Sequence, residues 1–451
     1  MIASAKIGGA RVEVPADGRA GLDVFVRNPQ SYVLSFCLLI VSMLPLDAAA
    51  QITESLLPNA VPPSTPQTPT SAFAPLGLPM GDFFWYPRAE LDQAYNSNIF
   101  ATTTGYTYDL ITALTSSFDL LSNFSRNSLN LHGGSLLQVY ADHPAQNTQD
   151  GVLSADGSLD VTAGGALYGS AQLAHEHISY GSPNSPGNIA QPVTYWTNSA
   201  TAGYVQGGRR FSYEVDFGVT SAQYNAALLD GGSVLPQSSQ DATAYSAAVR
   251  GSYEIIPDYL GYIRFGTSWY DYWHTVAGGI NPDFSTYRVD LGLQILPRHL
   301  ISGEVYVGYL VQNFTQSRLG STSTPDYGGA LTWSITPRTT LGFSGALTFN
   351  TGTPGAGLPS AGNSYLSSVF TASASYELLS NLQLGLTGSY INNSFQGITR
   401  TDNVYVLGAG FRYQVNRNLF LGGEFSYAEQ NSTGGRPFTQ NVLTLRAGTQ
   451  F

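Results

Sequence analysis

Charged side chains recur at every second position of apolar segments, and they are the residues of this sequence best suited to chemistry. Arg288 and Asp290, for example, alternate with Val289 and Leu291. The charged candidates of this kind are Arg250, Arg264, Arg288, Arg412, Arg446, Glu214, Asp216, Glu254, Asp290, Glu304 and Glu424. Opposite charges on one face of a sheet can orient solutes in a pore. They can equally form salt bridges that stiffen a wall without a packed core, and both roles remain open.

The segment His175-Glu176-His177 is the cluster that most suggests a metal site, because residues two apart share one face of a strand. No third ligand stands at a recognisable spacing, and the histidines belong to no recognised nucleophile motif. We therefore expect no catalytic residue, no metal and no cofactor. The glycine pairs 164–165 and 328–329 are interpreted as strand kinks or close-packing points, not as phosphate-binding loops.

Long β-strands must position these charges. Segments 210–220, 287–295 and 301–311 alternate apolar and polar residues with the period of a strand. The alternating segments run for about 12–15 residues, and a tilted transmembrane strand needs ~9–11. Short turns alternate along the chain with longer polar loops such as 315–325. Outer-membrane barrels have this asymmetry, with short turns at one end and long loops at the other. A charge facing lipid costs roughly 2–4 kcal/mol, so the charged face is expected to line the lumen.

The expected fold is all-β: a transmembrane, antiparallel, up-and-down barrel of about 18 strands, with about 16 as the fallback. The early segments are the least regular, and 158–168 and 171–180 are predicted as the fourth and fifth strands. A β-propeller is the competing fold, because the number of residues between successive turns in the second half is close to the length of a propeller blade. It would need four short strands per interval, whereas each interval here holds two long ones.

Aromatic residues on the apolar face mark both ends of the strands. Those near the tight turns are Tyr253, Trp333, Tyr376 and Tyr413. Those near the long loops are Trp269, Tyr309, Phe349, Tyr390 and Tyr427. Two such belts are what the two membrane interfaces favour. The segment 269–273 (WYDYW) could also stack on sugars, but its place at a strand end favours the belt.

The two ends of the chain carry targeting signals. Residues 1–50 contain an apolar run behind Arg27 and end on small residues, which predicts a signal peptide. Residues 51–82 are rich in Pro, Ser and Thr and are expected to be a periplasmic leader without strands. The barrel is expected to span 83–451. Its last strand, 438–451, alternates and finishes on Phe451, resembling the signal that barrel-assembly machinery recognises in Gram-negative bacteria.

The composition supports a membrane location. Only 11% of residues are charged, although 43% are hydrophobic, and a soluble protein usually carries roughly 25% charged residues. A wall that faces outer-membrane lipid does not need those charges. The net charge of -11 argues against a nucleic-acid partner, which would require a basic surface.

The opening of the predicted barrel resembles a known family. Residues 95–100 (YNSNIF), Phe118 and 126–129 (RNSL) are similar to the first hairpins of proteobacterial β-barrel porins, some of which belong to exopolysaccharide operons. The family usually has aspartate where Asn96 stands. The resemblance implies an outer-membrane channel for passive diffusion of small hydrophilic solutes. The alternative that it leaves open is a component of exopolysaccharide export or assembly.

Overall fold

The computed structural model describes residues 71–186, 188–275, 283–316, 320–351 and 364–451, and these residues form a closed antiparallel β-barrel. The 18 strands of its wall, numbered β1 to β18 in chain order, are Phe83–Asn96, Asp109–Ser122, Ser128–Tyr140, Thr148–Thr162, Gly165–His177, Thr194–Gly207, Phe211–Tyr224, Ala242–Ile256, Tyr259–Tyr272, Phe284–Ile295, Ile301–Phe314, Ser321–Thr336, Thr339–Thr351, Ser364–Leu379, Leu382–Gln396, Thr401–Gln414, Leu419–Ser432 and Phe438–Gln450. The predicted fold class and the count of 18 strands are confirmed.

Each strand of the wall pairs with its neighbours in sequence, and β1 closes the ring against β18. Leu91 of β1 lies opposite Leu114 of β2 on one side and Ala447 of β18 on the other. No helix in the described part of the chain is long and apolar enough to span a membrane. The helical segments there are the 3-10 turns Ser71–Phe73, Pro144–Gln146 and Ser238–Gln240.

The two faces of the wall differ as the alternation predicts. On β10, Leu291 is 60% exposed and Val289 is 43% exposed, whereas Asp290 between them is fully buried. Apolar side chains form the outer face, where lipid replaces water as the surrounding medium. Polar and charged side chains of the other parity point into the barrel.

The early strands differ from the prediction. The fourth and fifth strands occupy Thr148–Thr162 and Gly165–His177, so Gly164, at φ +77°, is a turn residue and not a strand kink. The outward positions of β4 include Gly151, Ala155 and Gly157, whose small side chains give little apolar alternation to detect.

The predicted start of β12 and the predicted belt position of Phe349 also differ from the structure. The predicted loop 315–325 overlaps β12, which begins at Ser321 and contains Pro325. Phe349 has the outward parity of a belt residue but is only 4% exposed, because it packs against Phe284 inside the barrel.

The described end of the predicted leader contains a short strand, although its composition predicted none. Leu78–Met80 forms a short strand that pairs with the start of β1, with Leu78 opposite Trp85 and Met80 opposite Phe83. β18 covers β1 only from Arg88 onward, so this short strand occupies the edge that β18 leaves. The predicted signal peptide and residues 51–70 of the leader lie outside the described residues.

Candidate solute pathway

The barrel interior contains a cavity of about 350 Å³. One side of it is lined by hydroxyl-bearing and small residues, including Ser154, Ser158, Ser170 and Thr201. The other side presents Arg250, Arg264 and Arg288, with Glu214 and Asp216 beside them. Hydrogen-bonding groups of several kinds therefore surround the space through which a solute would pass.

The charged side of the cavity is built on β8 to β11, and we call it the arginine–tyrosine wall: Arg250, Tyr262, Arg264, Arg288 and Tyr306. The Arg250 guanidinium lies over the Tyr262 ring, 3.7 Å from its centroid. Those of Arg264 and Arg288 lie 4.8 Å and 5.7 Å from the Tyr306 ring centroid. Cation–π contacts of this kind hold the guanidinium groups in place.

Each guanidinium of the wall also has a carboxylate partner on a nearby strand: Arg250 with Glu304 at 3.2 Å, Arg264 with Asp290 at 2.7 Å, and Arg288 with Asp326. Asp290 also lies 3.3 Å from Arg288, so one buried carboxylate serves two arginines. A buried charge is tolerated only when it is paired in this way. The network stiffens the wall and at the same time places charge along the cavity.

Glycines on neighbouring strands allow the tyrosines to lie flat. A Cβ added at Gly292 would be 2.2 Å from Cζ of Tyr262, and one at Gly328 would be 2.5 Å from the Tyr306 hydroxyl. These glycines lie directly opposite the tyrosines in the register, Tyr262 with Gly292 and Tyr306 with Gly328. Because these glycines have no side chain, the tyrosine rings can lie against the wall and do not project into the lumen.

Two acidic residues of β7, Glu214 and Asp216, lie beside the arginine–tyrosine wall. The Tyr168 hydroxyl is 2.8 Å from Glu214 Oε1 and also contacts Asp216. Glu214 lies opposite Arg250 in the register. The wall and these two acidic residues together contain five carboxylates (Glu214, Asp216, Asp290, Glu304 and Asp326) and three guanidinium groups. Carboxyl groups therefore outnumber guanidinium groups in and beside this part of the cavity.

The two predicted arginines near the C-terminal end of the chain lie in a separate cluster beside the closure of the ring. Arg446 of β18 bonds Asp92 of β1, with Nη2 2.8 Å from Oδ2, and also Glu90, with Nε 3.0 Å from Oε2. Arg412 is almost fully buried over the Phe420 ring, 3.7 Å from its centroid. This cluster links β1 to β18 across the seam.

The remaining predicted residues include Glu424, whose charge interacts with that of Arg446 in the cluster at the seam. Glu254 accepts a hydrogen bond from the backbone N–H of Asp258, at the turn between β8 and β9. Glu424 is half-buried on β17, opposite Thr444 of β18. The rings of His175 and Trp196 are in contact at a tilt, with centroids 4.8 Å apart, and His177 Nδ1 lies 2.9 Å from Asp150 Oδ2.

Sequence reasoning missed the tyrosines and several acids that organise the predicted charges. These residues are Tyr168, Tyr262, Tyr306, Asp326, Glu90 and Asp92. All have the parity of the charged face. Aromatic residues on that parity, with glycine on the same parity of the next strand, are the signal that could have identified the tyrosines.

The family comparison decides the identity of the barrel. Residues 71–451 match the family described as "Putative beta-barrel porin 2". The chain belongs to this family. With the closed barrel and its apolar outer face, membership of this porin family establishes an outer-membrane location. No curated protein matches the chain.

Several solved porin structures are similar to this family member at low identity. OpdK of Pseudomonas aeruginosa, solved with vanillate, is 10% identical over 81% of this chain and 99% of its own, with a TM-score of 0.42. OccK2 (OpdF) of the same organism, in complex with glucuronate, is 10% identical over 82% and 99%, with a TM-score of 0.43. A BenF-like porin from Pseudomonas fluorescens Pf-5 is 10% identical over 82% and 100%, with a TM-score of 0.43.

Loops narrow the outer mouth of this porin-family barrel. Loop 178–193, between β5 and β6, reaches the loop before β18, where Arg436 donates a 3.1 Å hydrogen bond to the backbone carbonyl of Ser185. Its base is held by Ile178, Ile189 and other apolar residues that pack together. The loop thus crosses above β1 to β4 and reduces the opening through which solutes would enter.

Replacing Gly292 with valine is expected to lower the single-channel conductance. The new side chain must displace the Tyr262 ring into the lumen, which removes its stacking on Arg250 and its 3.2 Å hydrogen bond to Glu304. We expect an accompanying loss of about 1–3 kcal/mol in unfolding free energy. Planar-bilayer recording measures the conductance, and the double variant Gly292→Val/Tyr262→Ala should restore it. Unchanged conductance in the single variant would contradict this geometry.

Proposed function

We propose that the protein is a porin-like channel of the Gram-negative outer membrane through which small hydrophilic solutes diffuse passively. The observation that carries the proposal is a cavity of about 350 Å³, with charged and hydroxyl-bearing residues in its lining, inside a closed 18-strand barrel. Barrels of 16–18 strands are wide enough to leave an aqueous channel. The family of the chain is consistent with this function. The charged and hydroxyl groups along the cavity would replace part of a solute's hydration shell.

The proposed role requires neither catalysis nor a bound cofactor. Solutes would be selected by size at the narrowed mouth and by charge beside the arginine–tyrosine wall. Because carboxylates outnumber guanidinium groups at that wall, we propose that cations pass more readily than anions. The exopolysaccharide alternative would call for contact with a secreted polymer, and no contact or charge pattern in the described ranges favours it.

Reconstitution tests the proposal directly. Purified protein in planar bilayers should show stepwise conductance in KCl, and proteoliposomes should swell in isotonic solutions of small sugars. A charged solute of equal size should permeate faster when it is cationic. Protein that is folded but neither conducts nor permits swelling would contradict the proposal.

Exchange of Arg288 for methionine is expected to increase the preference for cations. The variant removes one positive charge from the lumen and leaves Asp326 and Asp290 without that guanidinium. Removing one partner of a buried pair costs about 3–5 kcal/mol, so stability should fall as well. The reversal potential under a KCl gradient reports the selectivity.

The charge-matched control for this variant is Arg288→Met/Asp326→Asn. It removes one charge of each sign, so the reversal potential should return close to the wild-type value. Folded Arg288→Met protein with an unchanged reversal potential would show that the arginine–tyrosine wall does not face the conducting path.

A further inference from the structure

The wall of the barrel is split between β12 and β13. Their ladder extends up from the turn but stops, within the described residues, at Gly328 opposite Ala346. Both strands continue beyond this point with their other neighbours. β12 pairs with β11 as far as Ser321, and β13 pairs with β14 as far as Thr351. β12 and β13 are therefore paired near the turn that connects them, whereas residues 321–327 of β12 do not pair with residues 347–351 of β13.

A proline lies within this split. The N–H of Ser334 on β12 donates to the carbonyl of Leu300, on the β11 side. Because backbone groups alternate along a strand, odd-numbered residues of β12 point their nitrogens toward β13. Pro325 is one of them and has no N–H to donate. The split therefore contains a position, three residues beyond the last pair at Gly328, where the ladder lacks a donor.

The free end of β13 lies inside the barrel. Phe349 shares the parity of Phe343, which is 47% exposed on the outer face, yet Phe349 is buried. Its ring lies 5.8 Å from Phe284, an inward residue that stacks on Tyr270 at 4.2 Å. The wall therefore overlaps itself here. The ends of β13 and β14 lie on the lumen side of β11 and β12.

This overlap creates an apolar region in an otherwise polar lumen. We call it the inner apolar patch, and it consists of Ala242, Ala244, Tyr270, Tyr272, Phe284, Leu310 and Phe349, with Phe314 and Leu366 packed against it. Most of these residues have inward parity, where a water-filled pore would favour polar groups. The patch lies directly behind the split.

The split lies at the level of the outer leaflet. Pro325 is opposite Tyr309, an exposed residue of the outer aromatic belt. Trp333 of the inner belt lies on the same strand, about 25 Å away along β12 at the usual rise per residue. A free strand edge facing hydrocarbon is costly unless its polar groups are satisfied. The backbone N–H groups of Ser323 and Tyr327 point toward this edge by the same alternation.

We propose that the split is a lateral passage through which a single-chain fatty acid moves between the outer leaflet and the lumen. The carboxylate would accept hydrogen bonds from the N–H groups beside Pro325. The acyl chain would displace Phe349 and occupy the inner apolar patch. Tyr327, whose hydroxyl is 3.0 Å from Ser368 Oγ and whose ring is 6.0 Å from Phe370, connects β12 to β14 at the lower end of the split. This contact would limit how far the passage opens.

Photolabelling with a diazirine-bearing palmitic acid tests the proposal in proteoliposomes. Lipid-facing positions such as Val307 and Tyr309 should be labelled whatever the role of the split. The proposal requires labelling of Leu310 and Phe314 as well, because these neighbours have the opposite parity and face inward. Mass spectrometry of the labelled peptides distinguishes the two faces. Labelling confined to the outward parity would overturn the proposal.

Two pairs of proteins separate the patch and the split from general effects on folding. Phe284→Gln should reduce inward labelling about tenfold by removing apolar contact, whereas Phe284→Leu should retain it. Pro325→Val restores the missing N–H and should also reduce inward labelling relative to wild type. KCl conductance of each variant shows that the barrel is folded and open. Equal inward labelling in Phe284→Gln and Phe284→Leu, or in Pro325→Val and wild type, would refute the passage.

Discussion

Arginine in place of Leu291 is expected to destabilise the barrel by about 2–4 kcal/mol. Leu291 lies near the middle of β10, is 60% exposed, and projects from the outer face between Ile263 of β9 and Val307 of β11. A guanidinium at this depth would lie in hydrocarbon without a partner. Equilibrium denaturation of protein refolded into liposomes measures the change in unfolding free energy.

The matched control places the same side chain on the opposite face. Gln172 of β5 lines the cavity, so Gln172→Arg should change the unfolding free energy by no more than about 0.5 kcal/mol. The reverse ranking of the two variants would mean that the strands face the other way. Every lumen residue named above would then belong to the lipid face, because a one-residue shift exchanges the two sides of a strand.

Removal of residues 447–451 is expected to prevent formation of a stable barrel. Gln450, Thr449, Gly448 and Ala447 pair with Arg88–Leu91 of β1, so their loss leaves this edge open within the membrane. Gln450 also accepts a hydrogen bond from Arg412 and donates one to the backbone carbonyl of Phe73, which ties the leader to the seam. An open edge in lipid costs several kcal/mol for each unsatisfied group. The shortened protein should accumulate in the periplasm and be degraded.

Heat-dependent migration on gels and fractionation of membranes measure this outcome. Phe451→Tyr and Phe451→Ala are the companion variants, because they preserve the β1–β18 register while testing the terminal aromatic. If assembly machinery recognises that aromatic, tyrosine should support insertion and alanine should reduce it. Normal heat-modifiable migration of the shortened protein would show that closure does not depend on the last residues of β18.

Local pattern was sufficient for most of the strands. From β6 to β18, period-2 alternation predicted each strand to within a few residues apart from β12, because one face meets lipid and the other meets polar groups. The same alternation placed Arg288 and Asp290 on the face opposite Val289 and Leu291, and both are buried. It failed on β4 and β5, where small outward residues such as Gly157 and Ala171 leave little contrast between the faces.

The sequence by itself therefore determined the fold class and the strand number. Each of these depends on contrasts between neighbouring residues. Only the tertiary structure decided which charges meet. Arg250 on β8 and Glu304 on β11 form an ion pair although two strands of the ring lie between them. It also decided that Phe349 turns inward and that the β12–β13 ladder ends at Gly328. Alternation specifies the face of a side chain, but the curvature and overlap of the closed wall determine what that face contacts.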